Sequence, residues 1–171
     1  PGPGEQARPR NPVPDLRDPR FTIERETLKL VIQAPMAIWR TTADIGANDF
    51  THPVYRGVWD LVEAAGGTVA GADDDGWAGR LRQAADDPAV SSAITALAVE
   101  PLMKTPDAAY VGSYVFKLLE LTAQRRIADL KSKLQRTNPV DQAADYNRMF
   151  GELAALEQHR RTLRDHIAGA Q

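Results

Sequence analysis

Apolar positions recur at steps of three and four through most of this chain, and the pattern predicts helices almost everywhere after Phe21. The clearest run is the C-terminal third. From about Asp107 to Gln135 the stripe is Phe116, Leu119, Ala123, Ile127, Leu130 and Leu134. From about Val140 to Ile167 it is Tyr146, Met149, Leu153, Leu156, Leu163 and Ile167. The six residues Arg136-Thr137-Asn138-Pro139-Val140-Asp141 form the turn between them. Two such stripes pack as an antiparallel helical hairpin. A helix of roughly 29 residues is about 43 Å long, whereas a compact domain of this length has a radius of gyration of only about 15–16 Å. Part of the hairpin is therefore expected to project from the body, a shape suited to holding a partner rather than to enclosing a catalytic pocket.

Ahead of the hairpin the pattern predicts shorter helices. The first starts at Thr22 with Ile23, Leu28, Val31 and Ile32 on its core side, and Pro35 closes it and opens a short second one. Thr51 and Pro53 mark the start of a third, carrying Val54, Tyr55, Val58, Trp59 and Val62, which stops at Gly66-Gly67. Asp73 to Asp75 are expected to cap a fourth helix, Pro88 opens a fifth, and Asp107 caps the long one. Only Thr68-Val69-Ala70 hints at a strand, with nothing to pair with it. The fold class is all-α: a bundle of short helices, residues 21–106, followed by a long antiparallel helical hairpin, residues 107–171. Residues 1–20 hold six of the 12 prolines and read as an extended, flexible Pro/Gly-rich linker. The first residue is Pro1 rather than Met, as expected of a piece of a longer protein.

Composition narrows the function classes. The chain has 171 residues, 43% hydrophobic and 26% charged, within the range of a globular domain. No apolar run approaches the ~18 residues of a membrane span, and no secretion signal is visible. The absence of cysteine removes thiol chemistry, disulfides and cysteine-based zinc sites, and fits a cytoplasmic location. The net charge is −2, unevenly spread. Residues 125–136 carry Arg125, Arg126, Lys131, Lys133 and Arg136 against Asp129 alone. That stretch is either a solvated helix face or a docking surface, and its alternative function is nucleic-acid binding. The overall acidity argues against nucleic acid as a direct ligand.

Candidate chemistry is sparse. His159 and His166 lack the Glu-x-x-His partners of a di-metal bundle site, and His52 reads as a first-turn residue beside Pro53. Asp73-Asp74-Asp75-Gly76 starts like a calcium loop, but the twelfth position is Ala84 instead of glutamate. The glycines form no phosphate loop. No catalytic residue, metal site or cofactor is expected, which argues against a stand-alone enzyme. Tyr55, Trp59, Trp77, Tyr110, Tyr114 and Phe116 read as core. Phe150 sits one position off the inner stripe: it either closes the hairpin from the side or forms an exposed apolar patch with Tyr146 and Val140. With Arg136 these are the leading partner-binding residues, because the inner stripe is occupied in holding the two helices together.

The order and spacing of Glu24-Arg25-Glu26-Thr27-Leu28-Lys29-Leu30, Gln33-Ala34-Pro35, Asp49-Phe50-Thr51-His52-Pro53 and Leu134-Gln135-Arg136-Thr137-Asn138-Pro139 resemble the C-terminal helicase-binding domain of bacterial DNA primase, the DnaG family, of an actinobacterial type. The resemblance runs from about residue 20 to residue 168. It implies a non-catalytic interaction domain, separate from the primer-synthesising part of its parent, that docks on the hexameric replicative DnaB-type helicase, stimulates it and couples primer synthesis to the replication fork. It also implies a second partner in some relatives, the acidic C-terminal tail of single-stranded-DNA-binding protein, bound through a basic pocket on the first helix, where Arg25 and Lys29 stand here.

Overall fold

The computed structural model describes residues 12–169. Among them are seven α-helices and no strand: α1 (Thr22–Gln33), α2 (Pro35–Ile38), α3 (Pro53–Ala64), α4 (Trp77–Ala84), α5 (Pro88–Val99), α6 (Ala108–Gln135) and α7 (Ala143–Gly169). Short 3-10 turns join them, one of them at Thr68–Gly71, where the sequence hinted at a strand.

The starts of the helices follow from side chains that accept free first-turn amides. Asp87 accepts from Ala89 and Asp107 from Tyr110. For α3 the cap is His52, not Thr51: its Nδ1 accepts from the Val54 amide at 3.0 Å, while Thr51 turns its hydroxyl to Glu24. For α4 the cap is Gly76; Asp74 instead accepts from the Gly76 amide and pairs with Arg80 at 3.0 Å. The end of α3 needs positive φ at Gly66 and Gly67 (105° and 82°), where the Gly67 amide reaches the Val62 carbonyl at 2.9 Å.

α1 is the centre of the bundle and packs against α2, α3, α4, α5 and α6. Leu28, Leu30 and Val31 on α1 and Tyr55, Val58 and Val62 on α3 have no solvent exposure. Trp77 reaches across from α4, its indole N–H donating to the Val31 carbonyl at 3.1 Å. The backbone of Gly71 lies flat on that indole, so that a Cβ there would sit 2.5 Å from the ring.

α6 belongs to two bodies. Val111, Val115 and Leu118 complete the bundle core, while Ile127 and Leu130 meet Met149 and Leu153 of α7 in a separate small core flanked by Leu134 and Leu156. The 106/107 boundary read from the sequence is where short helices give way to long ones; the packing changes partner further on, between Leu118 and Ile127. From Leu118 to the end of α6 the helix runs about 25 Å at ~1.5 Å per residue, carrying the hairpin away from the bundle.

Two expectations are corrected. α7 begins at Ala143, not near Val140, because the Asn138 side chain accepts from the Val140 and Asp141 amides and holds the turn open for longer. The linker expected over 1–20 is stitched down at its C-terminal end, while residues 1–11 lie outside the described residues. Leu16 packs on the bundle core, Tyr55 Oη donates to the Leu16 carbonyl at 2.7 Å, and His52 Nε2 donates to the Pro14 carbonyl at 2.8 Å. Prolines remove amide donors, but every carbonyl survives as an acceptor. A proline-rich strand can thus be held by side-chain donors without regular structure.

Candidate functional site

The tip of the hairpin presents the residues expected there. The Arg136 amide donates to the Lys133 carbonyl at the last turn of α6, and its side chain is exposed. Val140 is 82% exposed in the turn and Phe150 58% exposed on α7. Met149, the neighbour of Phe150, is buried in the seam. Successive helical residues lie about 100° apart, so the seam that takes Met149 turns Phe150 outward. Of the two readings of Phe150, the structure has the exposed one. Tyr146, one turn earlier, stacks its ring on Phe150 with centroids 6.4 Å apart and planes 14° from parallel. The result is a pre-formed aromatic surface on a rigid helix, which loses little side-chain freedom when covered.

The second candidate region is a cleft of about 460 Å³ between α1 and the residues that follow α5, lined by Leu16, Arg17, Arg25, Lys29, Glu100 and Pro101. Arg25 and Lys29 are both here, and both are buried. Arg25 donates to both oxygens of Glu100 and, at 2.6 Å, to Tyr55 Oη. Lys29 donates to Glu26 and to the Pro101 carbonyl, each at 3.1 Å. Burial alone would raise the Glu100 carboxyl, but the hydrogen bond and charge of Arg25, with help from Arg17 and Lys29, outweigh it and hold the group below its ordinary value. Arg17 stands at the rim, 73% exposed, while the two buried cations are engaged by acids of this chain, Arg25 by Glu100 and Lys29 by Glu26, and Asp18 and Glu26 also line the cleft. Glu100 was not visible as a functional partner in the sequence: it is the single acid between Asp87 and Asp107, and only the fold brings it to Arg25, 75 positions away.

Three of the five bases in the stretch 125–136 are engaged within the chain, which leaves Lys133 and Arg136, both exposed, at its tip end. Arg125 donates to the Asn48 carbonyl and to Thr122. Arg126 pairs with Glu152 at 2.9 Å and Lys131 with Glu157 at 3.6 Å, both acids on α7. The nucleic-acid alternative therefore has no support in the geometry. Among the described residues no group of three or more His, Asp or Glu is placed to hold a metal ion, and no helix is long and apolar enough to cross a membrane. His52 is a buried cap, His159 is exposed, and His166 packs edge-on against Phe116.

Comparison with known proteins matches this architecture. The family described as DNA primase DnaG DnaB-binding matches residues 24–149. The chain is 37% identical over 169 residues to the DNA primase of Mycolicibacterium smegmatis, covering 95% of this chain and 27% of that protein. It is 35% identical over 158 residues to the DNA primase of Mycobacterium tuberculosis, covering 91% and 25%. It thus spans about a quarter of the length of the curated relatives it matches. The solved helicase binding domain of primase from Mycobacterium tuberculosis superposes with a TM-score of 0.69 at 34% identity, over 86% of this chain and 93% of that one.

Proposed function

The chain belongs to the DNA primase DnaG DnaB-binding family, and we propose from that membership that it is the non-catalytic docking module through which a primase holds the hexameric replicative helicase at the replication fork. The observation that carries this reading is the tip of the hairpin. It projects beyond the bundle and ends in the stacked Tyr146–Phe150 pair, Phe150 facing out and Tyr146 half-buried beside it, with Val140 exposed in the turn. An apolar centre edged by charge concentrates binding energy in a few anchors; here the anchors are Tyr146, Phe150 and Val140, and Arg136 stands at the edge. The bundle fixes the root of α6 and so sets the direction in which the tip is presented. Primer synthesis belongs, on this reading, to the rest of the parent protein, and this module fixes its position at the fork.

The test is direct binding of the purified domain to the replicative helicase. Truncating a good anchor costs about 2 kcal/mol, so Phe150→Ala should weaken binding about thirtyfold at ~1.4 kcal/mol per decade, with unchanged thermal melting. A well-folded Phe150→Ala variant that binds the helicase as the parent domain does would move the contact off the tip and onto the bundle, residues 21–105.

A further inference from the structure

The outer face of α7 continues past the aromatic pair. Tyr146, Phe150, Ala154, Glu157, Arg161 and Arg164 recur at steps of three and four and share one side of the helix, offset from the seam of Met149, Leu153 and Leu163. This second stripe is apolar toward the tip and cationic toward the root. Arg160, at its edge, and Arg164 both send Nε to the same oxygen of Glu120, at 3.3 and 2.9 Å. Arg161 is exposed and, among the described residues, donates only to Gln158. Two guanidinium groups thus share the Glu120 carboxylate, and Arg161 beside them has no carboxylate partner among the described residues. Glu157, the other acid at this spot, is engaged by Lys131. The four side chains Glu157, Arg160, Arg161 and Arg164 line a shallow hollow of about 270 Å³. The Nη groups of Arg160 and Arg164 have no acceptor among the described residues, which leaves planar forks of the kind that take carboxylates two oxygens at a time.

We propose that this stripe is one continuous docking strip for a helix of the protein partner, with apolar residues of that helix on Tyr146 and Phe150 and its clustered carboxylates in the guanidinium hollow. The proposal rests on the helicase-docking reading and adds the chemistry the partner must present. Phe150 and Arg161 are about 17 Å apart along the axis at ~1.5 Å per residue, so the matching helix has its apolar and acidic ends about three turns apart. Phosphates also suit arginine forks. Bases of a single strand can also stack on aromatic rings; against a nucleic acid stands the pairing of the adjoining cations Arg126 and Lys131 with acids of α7, which leaves the backbone of such a strand no continuous cationic groove to follow.

The experiment measures helicase binding by the parent domain, Phe150→Ala and Arg161→Glu, at low and high salt, with a single-stranded oligonucleotide as competitor. Arg161→Glu is expected to weaken binding about tenfold at low salt, mainly through slower association, with the difference shrinking at high salt. The Phe150→Ala loss is expected to be nearly the same at both salts, and the oligonucleotide is expected not to displace the helicase. Should Arg161→Glu melt lower than the parent, Arg161→Ala supplies the same readout with a smaller, roughly threefold loss. If the parent domain does not bind the helicase, the docking reading and this strip fall together. If the parent binds and the Arg161 variants match it at low salt, the strip alone is overturned. Displacement of the helicase by the oligonucleotide from the parent but not from Arg161→Glu would assign the hollow to phosphate and overturn it as well.

Discussion

The bundle and the outer hairpin are built from the same kind of amphipathic helix and end with very different interiors. In the bundle, α1 is enclosed by five other helices, and Leu28, Leu30, Val31, Tyr55 and Val58 are sealed from solvent. In the outer hairpin only two helices meet, and Ile127, Leu130, Met149 and Leu153 each keep between 6% and 9% exposure. Two helices bury one stripe each, and everything else on their surfaces stays in solvent. The difference is a division of labour: depth of packing in one region sets stability, and thinness in the other leaves faces free for recognition. Marginal local stability is the ordinary companion of such a projecting element.

The hardest test of this contrast is a large deletion in the bundle. Trp77 is 2% exposed, donates to Val31 and fills the space over Gly71. Trp77→Ala should cost about 3–5 kcal/mol, enough to remove most of the stability of a domain this size. Chemical denaturation monitored by circular dichroism reads the loss. A cost below 1 kcal/mol would mean that the bundle is not the stable body.

A second test works through pH. Glu100 ties α1 to the N-terminal segment through Arg25 and Arg17, and its carboxyl is held below its ordinary value in the fold. A depressed carboxyl contributes stability that is present above the unfolded value of about 4.3 and is lost as pH falls through the lower folded value. Glu100→Gln leaves Arg25 buried without its charge partner and should cost about 2–3 kcal/mol near neutrality. Its denaturation midpoint should then fall less steeply than the parent's in acid. Parallel acid limbs for the two proteins would show that Glu100 is not the group responsible.

What the sequence made legible follows the same division. The hairpin could be read to within three residues at its ends, because its stripes are long and uninterrupted and Asp107 and the Asn138-Pro139 turn punctuate them. Short helices were legible from their prolines and glycines, although the caps of α3 and α4 fall on His52 and Gly76, a residue or more from those expected, since Glu24 takes the Thr51 hydroxyl and Arg80 takes the Asp74 carboxylate. Periodicity could not decide the direction of Phe150, which lies one step off the seam. Nor could it show that Arg25 and Lys29 face acids of their own chain, or that Pro14 and Leu16 offer carbonyls to His52 and Tyr55. Apart from Lys29–Glu26, three residues apart on α1, those contacts join positions 38 to 75 residues apart and leave no mark on spacing.

The most discriminating comparison is between two adjacent residues. Met149 enters the seam with Ile127 and Leu130, while Phe150 faces out beside Tyr146. Met149→Ala should cost about 2 kcal/mol, the low end for a buried methionine, because a two-helix seam can close around the gap. Its amide exchange should speed up along α7 and the outer half of α6 and remain unchanged in α1 and α3, since the bundle core does not touch this seam. Phe150→Ala, one residue on, should shift stability by less than about 0.5 kcal/mol, as surface substitutions do, despite removing the larger side chain. If both variants melt alike and exchange alike, the two sides of α7 are not distinct, and the thin hairpin is not dividing structure from recognition. If only Met149→Ala loosens the hairpin while only Phe150→Ala loses the helicase, a rotation of about 100° around one helix separates the residue that holds the fold from the residue that presents it.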